Sequence, residues 1–155
     1  MTRNMYHYTE SGLDNIYLAN GFVIDGPPGR QMVVIKDIDG LHRAIGRMLI
    51  DCKKNLTGRE VRFLRQEMLM SQATLAKLLD VSEQAVHRWE KGKTGQVPKP
   101  AEALIRLLYR EQLGQAGSSI RESLEAAAEL EDAIGGARMT LSKSSKEWTP
   151  HLMVA

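Results

Sequence analysis

A short segment, residues 82–91, carries side chains that could contact the edges of DNA bases. Val86 and Trp89 lie three residues apart, which predicts that both point inward from one face of a helix. The outer faces then carry four polar or charged residues: Glu83, Gln84, His87 and Arg88. Glutamine can form two hydrogen bonds to adenine, and arginine can form two to guanine. These residue types therefore predict a helix that reads bases in the major groove.

A second helix should precede this one and hold it in place. Ser71 can cap that preceding helix at its N-terminus. Three apolar residues recur within it at the spacing of a buried helical face: Leu75, Leu78 and Leu79. Asp80 and Val81 then form a tight turn, and Ser82 can cap the base-reading helix. Gly92 is expected to end that helix in the left-handed conformation.

Further helices are predicted on both sides of this pair. Thr57 and Glu60 have the spacing of a capping box and predict a helix that runs to about Leu69. Its inner stripe is expected to contain Val61, Leu64 and Met68. Pro100 is well placed to start another helix, which should continue to about Tyr109. The apolar face of that helix is expected to contain Leu104, Leu107 and Leu108.

The stretch from Arg65 to Lys93 resembles the helix-turn-helix of the lambda-repressor/Cro (XRE) family. The resemblance is carried by Ser71-Gln72, Leu75-Ala76, Val81, Val86 and Trp89-Glu90-Lys91-Gly92-Lys93. Many members of the family have glycine where Asp80 stands. Asp80 must therefore adopt the left-handed conformation, which Asp tolerates better than most residues do.

The family resemblance implies roles for individual residues. Gln72 would hold a phosphate from the N-terminus of the second helix of the domain, and Arg65 would pair with Glu90. The residues expected to face bases are Glu83, Gln84 and Arg88. The expected phosphate contacts are Ser71, Gln72, Lys91 and Lys93. The alternative for these polar residues is an ordinary solvated position on a helix surface.

Charge and composition are consistent with a DNA-binding protein. The chain has 155 residues, 43% of them hydrophobic, and contains no run of about 18 apolar residues that could span a membrane. Residues 57–113 carry ten basic and seven acidic side chains, against seven and six in residues 1–56 and four and six in residues 114–155. The excess positive charge thus lies on the segment expected to meet phosphates. Because no secretory signal is visible and the single Cys52 cannot form an internal disulfide, we expect a cytoplasmic protein.

The N-terminal part has the residue pattern of strands. Residues 15–24 and 31–35 are rich in β-branched and aromatic side chains, and the turn-forming residues 25–30 separate them. This pattern predicts a small antiparallel sheet, with a helix from Asp39 to about Asp51 that covers one side of it. The predicted fold class is α+β, an all-helical lambda-repressor-like DNA-binding domain preceded by a small β-rich unit with one helix.

The order of these parts also resembles the MqsA-type antitoxins. In those proteins paired cysteines bind zinc in the N-terminal unit. This chain has one cysteine and four scattered histidines, which cannot supply four zinc ligands at the usual spacings. We therefore expect neither a metal nor a cofactor. Gln84 and Arg88 align with the two base-reading positions of that family.

The sequence divides into three segments, residues 1–56, 57–113 and 114–155. In the last segment, Ser118 to Ile134 has the spacing of a helix, which either forms a dimer contact or packs against its own domain. Residues 137–155 are expected to be a tail that either drapes over the sheet or is partly disordered.

No residue pattern typical of an enzyme is present, so we expect no catalytic residues. The expected function is sequence-specific transcriptional regulation, in particular repression, by a homodimer bound to a double-stranded DNA operator. The alternative is an antitoxin that binds a toxin protein through its N-terminal unit and represses its own operon.

Overall fold

The structure, a computed structural model, describes residues 4–92, 97–114 and 138–153. These residues form, in chain order, β1 (Tyr6–His7), β2 (Ile16–Leu18), β3 (Phe22–Asp25), β4 (Met32–Ile35), α1 (Ile38–Cys52), α2 (Gly58–Glu67), α3 (Gln72–Leu79), α4 (Glu83–Lys91), α5 (Lys99–Gln112), β5 (Arg138–Lys143) and β6 (Trp148–Met153). The described residues up to Ile45 form one compact unit together with β5 and β6. The described residues from Gly46 to Gly114 form the second. The predicted α+β class is confirmed.

The first unit is built on a sheet with the strand order β1-β2-β5-β6. Strand β2 pairs antiparallel with β1 and parallel with β5, and β5 pairs antiparallel with β6. Side chains alternate between the two faces of each strand. One face is fully buried in the core of this unit and contains Ile16, Leu18, Met139 and Leu141.

The C-terminal segment supplies half of this sheet. From the sequence, residues 137–155 are expected to drape over the sheet or to be partly disordered. Instead, residues 138–153 pair within it, with Ile16 beside Met139 and Leu18 beside Leu141. Trp148 is buried and donates from Nε1 to the carbonyl oxygens of Lys36, at 3.2 Å, and Asp37, at 3.0 Å.

The predicted antiparallel sheet exists only in part. Residues 15–24 do not form one strand, because the chain turns at Gly21, which has a φ of 77°. A Cβ at Gly21 would overlap the ring of Trp148, so glycine is required there for space as well as for conformation. Strand β3 pairs with β4, with Val23 opposite Val34, in a separate two-stranded sheet.

The helices begin at the predicted capping residues. Thr57 and Glu60 form the predicted capping box at the start of α2. Ser71 and Ser82 accept hydrogen bonds at the N-termini of α3 and α4. Asp80 has a φ of 56° and a ψ of 46°, the left-handed conformation predicted for it. The turn between α3 and α4 thus forms from local side-chain chemistry.

Three details of the helical unit differ from the sequence prediction. Leu78 is 52% exposed, because the buried face of α3 consists of Leu75, Ala76 and Leu79. Gly92 has a φ of −80° and a ψ of 165°, which is extended rather than left-handed. On α5 the predicted apolar face is only half-buried: Leu104, Leu107 and Leu108. Its buried side chains are Ala101, Glu102, Ala103, Ile105, Arg106 and Tyr109.

Arg106 accounts for the orientation of α5. Its guanidinium is fully buried and donates to the carbonyl oxygens of Leu49, at 3.1 Å, and Ile50, at 2.7 Å, in the last turn of α1. It also donates to Lys53 O and, at 2.8 Å, to Glu102. Carbonyl groups at a helix end lack partners within the helix, and this arginine satisfies them. Helix α5 therefore presents the face that carries Arg106 to the end of α1.

The helix predicted for 118–134 lies outside the described residues. Within the part of the chain that the structure describes, no helix is both long enough and apolar enough to cross a membrane.

Candidate nucleic-acid interface

Helix α4 has one buried face and one exposed face. The buried residues are Ala85, Val86, Trp89 and Glu90. The exposed residues are Glu83, Gln84, His87, Arg88 and Lys91. Gln84 and Arg88 are four residues apart and therefore occupy the same face, one turn from each other. The structure thus places all three of the predicted base-reading residues together on the surface of a single helix.

Glu90 connects three helices at the end of α4. Arg65 Nε on α2 donates to Glu90 Oε2 at 2.7 Å, and Arg65 Nη2 donates to Glu90 Oε1 at 2.9 Å. Arg65 Nη1 also donates to Met70 O at 2.8 Å, in the link between α2 and α3. The side chains of Arg65 and Glu90 are 11% and 3% exposed. The two residues that the family resemblance pairs are therefore in contact, with two hydrogen bonds and little access to water.

Gln72, the first residue of α3, is the third member of this cluster. Its Nε2 donates to Glu90 Oε1 at 3.2 Å. A carboxylate only accepts hydrogen bonds, so Glu90 determines which end of the Gln72 amide faces it. The second N–H of that amide remains available for another acceptor. Gln72 also lies at a helix N-terminus, where exposed backbone N–H groups and the helix dipole favour anions.

The other predicted phosphate contacts differ in their surroundings. Ser71 is exposed, and its hydroxyl accepts from Thr74 N at 3.0 Å as the cap of α3. The same hydroxyl lies 3.0 Å from Thr74 Oγ1, so its O–H can serve a phosphate only when Thr74 donates in that contact. Lys91 is exposed in the last turn of α4. Lys93 lies outside the described residues.

Gly58 contributes to the site through a close backbone approach that its sequence position does not predict. A Cβ at Gly58 would overlap the carbonyl oxygen of Trp89 and lie 2.8 Å from that of Glu90. The start of α2 thus approaches the end of α4 more closely than any larger residue permits. A glycine after a capping residue is common, so the sequence alone carried no signal of this contact.

Comparison with known families supplies the observation that decides the fold type. A family model described as Helix-turn-helix matches residues 61–108, which span most of α2, all of α3 and α4, and most of α5. This segment is a helix-turn-helix domain of the lambda-repressor/Cro (XRE) type. Searches of curated proteins and of solved structures found no match to the chain.

The helix-turn-helix domain gives the chain its general function. Domains of this family are DNA-binding regulatory modules and are not enzymes. The chain therefore carries, within residues 61–108, a DNA-binding regulatory domain of the XRE type. In domains of this kind the second helix of the motif enters the major groove, and the first crosses the DNA backbone. Helices α4 and α3 occupy the positions of the second and the first helix in this motif.

Cys52, at the end of α1, has an environment that disfavours reactivity. Burial raises the pKa of the thiol, and the negative charge of Asp51 raises it further. The thiolate is the reactive form of cysteine, so this environment keeps its population low.

Proposed function

We propose that the chain is a repressor that reads its operator with α4 in the major groove. Gln84 and Arg88 make the principal base contacts, and Glu83 accepts from cytosine where the site provides it. The observation that carries the proposal is the exposed face of α4 on a helix whose end is tied to α2 and α3 through Glu90. Direct readout requires a recognition helix that is held rigidly, because bidentate hydrogen bonds to a base tolerate little displacement of the side chain.

Phosphate contacts position the domain on the duplex. We assign them to Ser71, Gln72, Lys91 and Lys93. Gln72 is the best supported, because Glu90 holds its amide while leaving one N–H free at the N-terminus of α3. Contacts of this type fix register but carry no sequence information.

Gln84→Ala and Arg88→Ala should each weaken the free energy of binding to the preferred site by about 1–3 kcal/mol. Each should also relax the preference at one base pair. Neither side chain is buried, so the fold should be retained. Lys91→Ala is the matched control, since removal of a phosphate-binding charge should weaken binding to all sequences alike. Titrations on matched and mutated operators at fixed salt measure the difference. Equal losses on specific and random DNA for Arg88→Ala would remove Arg88 from the reading face.

The operator itself can be found by selecting bound DNA from a random pool. The proposal expects a recurrent site, with the preference at single positions changed by the Gln84 and Arg88 variants. Recovery of unrelated sequences only would contradict sequence-specific repression.

We further propose that the protein binds as a symmetric homodimer on an inverted repeat. One recognition helix reads only a few base pairs, so two copies with half-sites about 34–36 Å apart supply the necessary selectivity. We expect the dimer contact after Pro100, chiefly in the segment 118–134. Helix α5, which precedes that segment, carries a half-buried apolar stripe that is a second candidate for the contact: Leu104, Leu107 and Leu108.

Light scattering on the full chain should show a dimer at micromolar concentration. Leu124→Lys, within 118–134, should shift it toward monomer, and Leu107→Lys tests the stripe on α5. Arg30→Ala, far from both in sequence and exposed, is the control. A monomeric wild-type chain together with a footprint that lacks inverted symmetry would sink the proposal.

One observation favours the antitoxin as a second candidate function. The β3-β4 hairpin exposes three large apolar side chains on one face, Val23, Met32 and Val34, with Met32 71% exposed, and it exposes Ile24 on the other face. An exposed apolar cluster of this kind fits a protein partner. Co-purification with the product of an adjacent toxin-like gene, abolished by Val34→Lys, would support this function. No complex between the two purified proteins would contradict it.

A further inference from the structure

The four-stranded sheet carries a polar row on the face opposite its apolar core. Cross-strand pairing places four residues side by side, one on each of the strands β1, β2, β5 and β6: His7, Tyr17, Thr140 and His151. Arg138 lies on the same face of β5, two residues before Thr140. We name these five residues the sheet platform. The helix-turn-helix domain does not include any of them.

Tyr17 is the centre of the platform. Its ring is nearly parallel to that of His7, with an interplanar angle of 5° and 4.4 Å between the ring centroids. The guanidinium carbon of Arg138 lies 4.0 Å from the centroid of the Tyr17 ring. Because β1 and β5 flank β2 on opposite sides, the imidazole and the guanidinium cover opposite faces of that ring.

This stack holds Arg138 in place without neutralising it. The residue is exposed, and within residues 4–92, 97–114 and 138–153 its guanidinium has no carboxylate partner. Strands β1, β2, β5 and β6 contain no Asp or Glu. An arginine stacked on an aromatic ring keeps its planar set of N–H donors free for bidentate contact with an anion.

Thr140 supplies a second observation. It is 4% exposed, and its Oγ1 has no hydrogen-bond partner in the described part of the chain. Buried hydroxyl groups in proteins are nearly always hydrogen-bonded, so an orphan hydroxyl calls for an absent partner. Its neighbours across the strands in the row are Tyr17 and His151.

We propose that the sheet platform binds phosphate groups of the DNA that the helix-turn-helix domain reads, an inference that rests on the proposed function. Donors from Arg138, His151 and Thr140 match phosphate oxygens, whereas His7 Nε2 is already hydrogen-bonded to the carbonyl oxygen of Asp14 at 2.7 Å. About half or more of the hydrogen bonds in protein–DNA interfaces go to the phosphate and sugar backbone. One exposed guanidinium holds an anion weakly in water. The favoured partner is therefore the DNA that the helix-turn-helix domain of the same chain binds. DNA held by that domain has a high effective concentration for the platform, because the two are covalently linked.

The test measures the salt dependence of operator binding with full-length protein and a duplex that extends beyond the half-sites. Arg138→Ala should reduce the slope of log affinity against log salt by about 0.9 for each phosphate that the variant no longer neutralises. Arg30→Ala removes the same charge from an exposed turn and should leave the slope unchanged. Tyr17→Leu keeps every charge but removes the stack, and it should lower affinity in the same direction as Arg138→Ala.

Thr140→Val separates binding from folding. Removal of an orphan buried hydroxyl should leave the melting temperature unchanged or raise it, whereas operator affinity should fall. An unchanged affinity in this variant, or equal slopes for wild type and Arg138→Ala, would overturn the platform proposal. If the slopes of wild type and Arg138→Ala are equal, titration of the full-length protein with polyglutamate tests whether the platform binds an acidic polypeptide instead of DNA. Failure of the wild-type chain to bind any DNA specifically would instead contradict the proposed function.

Discussion

Glu90→Ala should lower the free energy of unfolding by about 3–5 kcal/mol, because it leaves a nearly buried guanidinium without its counter-charge. Arg65 is only 11% exposed at its side chain, so water cannot replace the carboxylate. The variant also removes the hydrogen bond that orients Gln72. We therefore expect weaker binding to specific and random DNA alike, in addition to the lost stability. Urea unfolding followed by circular dichroism measures the first effect.

Two further variants make this result specific. Glu111→Ala removes an exposed carboxylate from α5 and should change stability by less than about 0.5 kcal/mol. Glu90→Gln preserves the shape of the side chain and should fall between the alanine variant and wild type. A Glu90→Ala protein as stable as wild type would show that the pair adds nothing to the fold.

Arg106→Met should lower the free energy of unfolding by a comparable amount, about 3–5 kcal/mol, because it leaves the buried Glu102 carboxylate and several carbonyl groups without their hydrogen-bond donor. The Glu102 side chain is 4% exposed and accepts from Arg106 at 2.8 Å and from Leu56 N at 3.0 Å. Thermal or urea unfolding of the full chain measures the loss. Arg110→Met is the matched control, because its partner Asp51 is 46% exposed and remains hydrated.

A second substitution identifies the source of this loss. Replacing a buried ion pair by apolar residues is often close to neutral, whereas breaking one side of it is costly. The double variant Arg106→Met/Glu102→Leu should therefore be more stable than Arg106→Met alone. Equal stability of the single and double variants would place the cost in the carbonyl groups of α1 rather than in the stranded carboxylate.

The sequence by itself determined the reading helix and its surroundings. The caps at Thr57, Ser71 and Ser82 act over three residues, and the left-handed turn at Asp80 is a property of the local backbone. Helical spacing alone separates the inward residues of α4 from the outward ones. The base-reading roles of the exposed residues remain predictions, as does the dimer.

Only the tertiary structure decided which segments meet. The parallel pairing of β2 with β5 joins segments from opposite ends of the chain, and no local pattern marks one as the partner of the other. The same holds for the hydrogen bond of Gln72 to Glu90, which joins two helices.

The half-buried face of α5 shows most clearly why the apolar spacing of a sequence does not by itself predict which face of a helix is buried. Its leucine spacing favoured burial of Leu104, Leu107 and Leu108, yet the carbonyl groups at the end of α1 required Arg106 and rotated the helix toward them. Apolar spacing reports only how a helix could bury its own surface. Unsatisfied polar groups elsewhere in the fold determined which face was buried, because leaving them without partners costs more than leaving a leucine half-exposed.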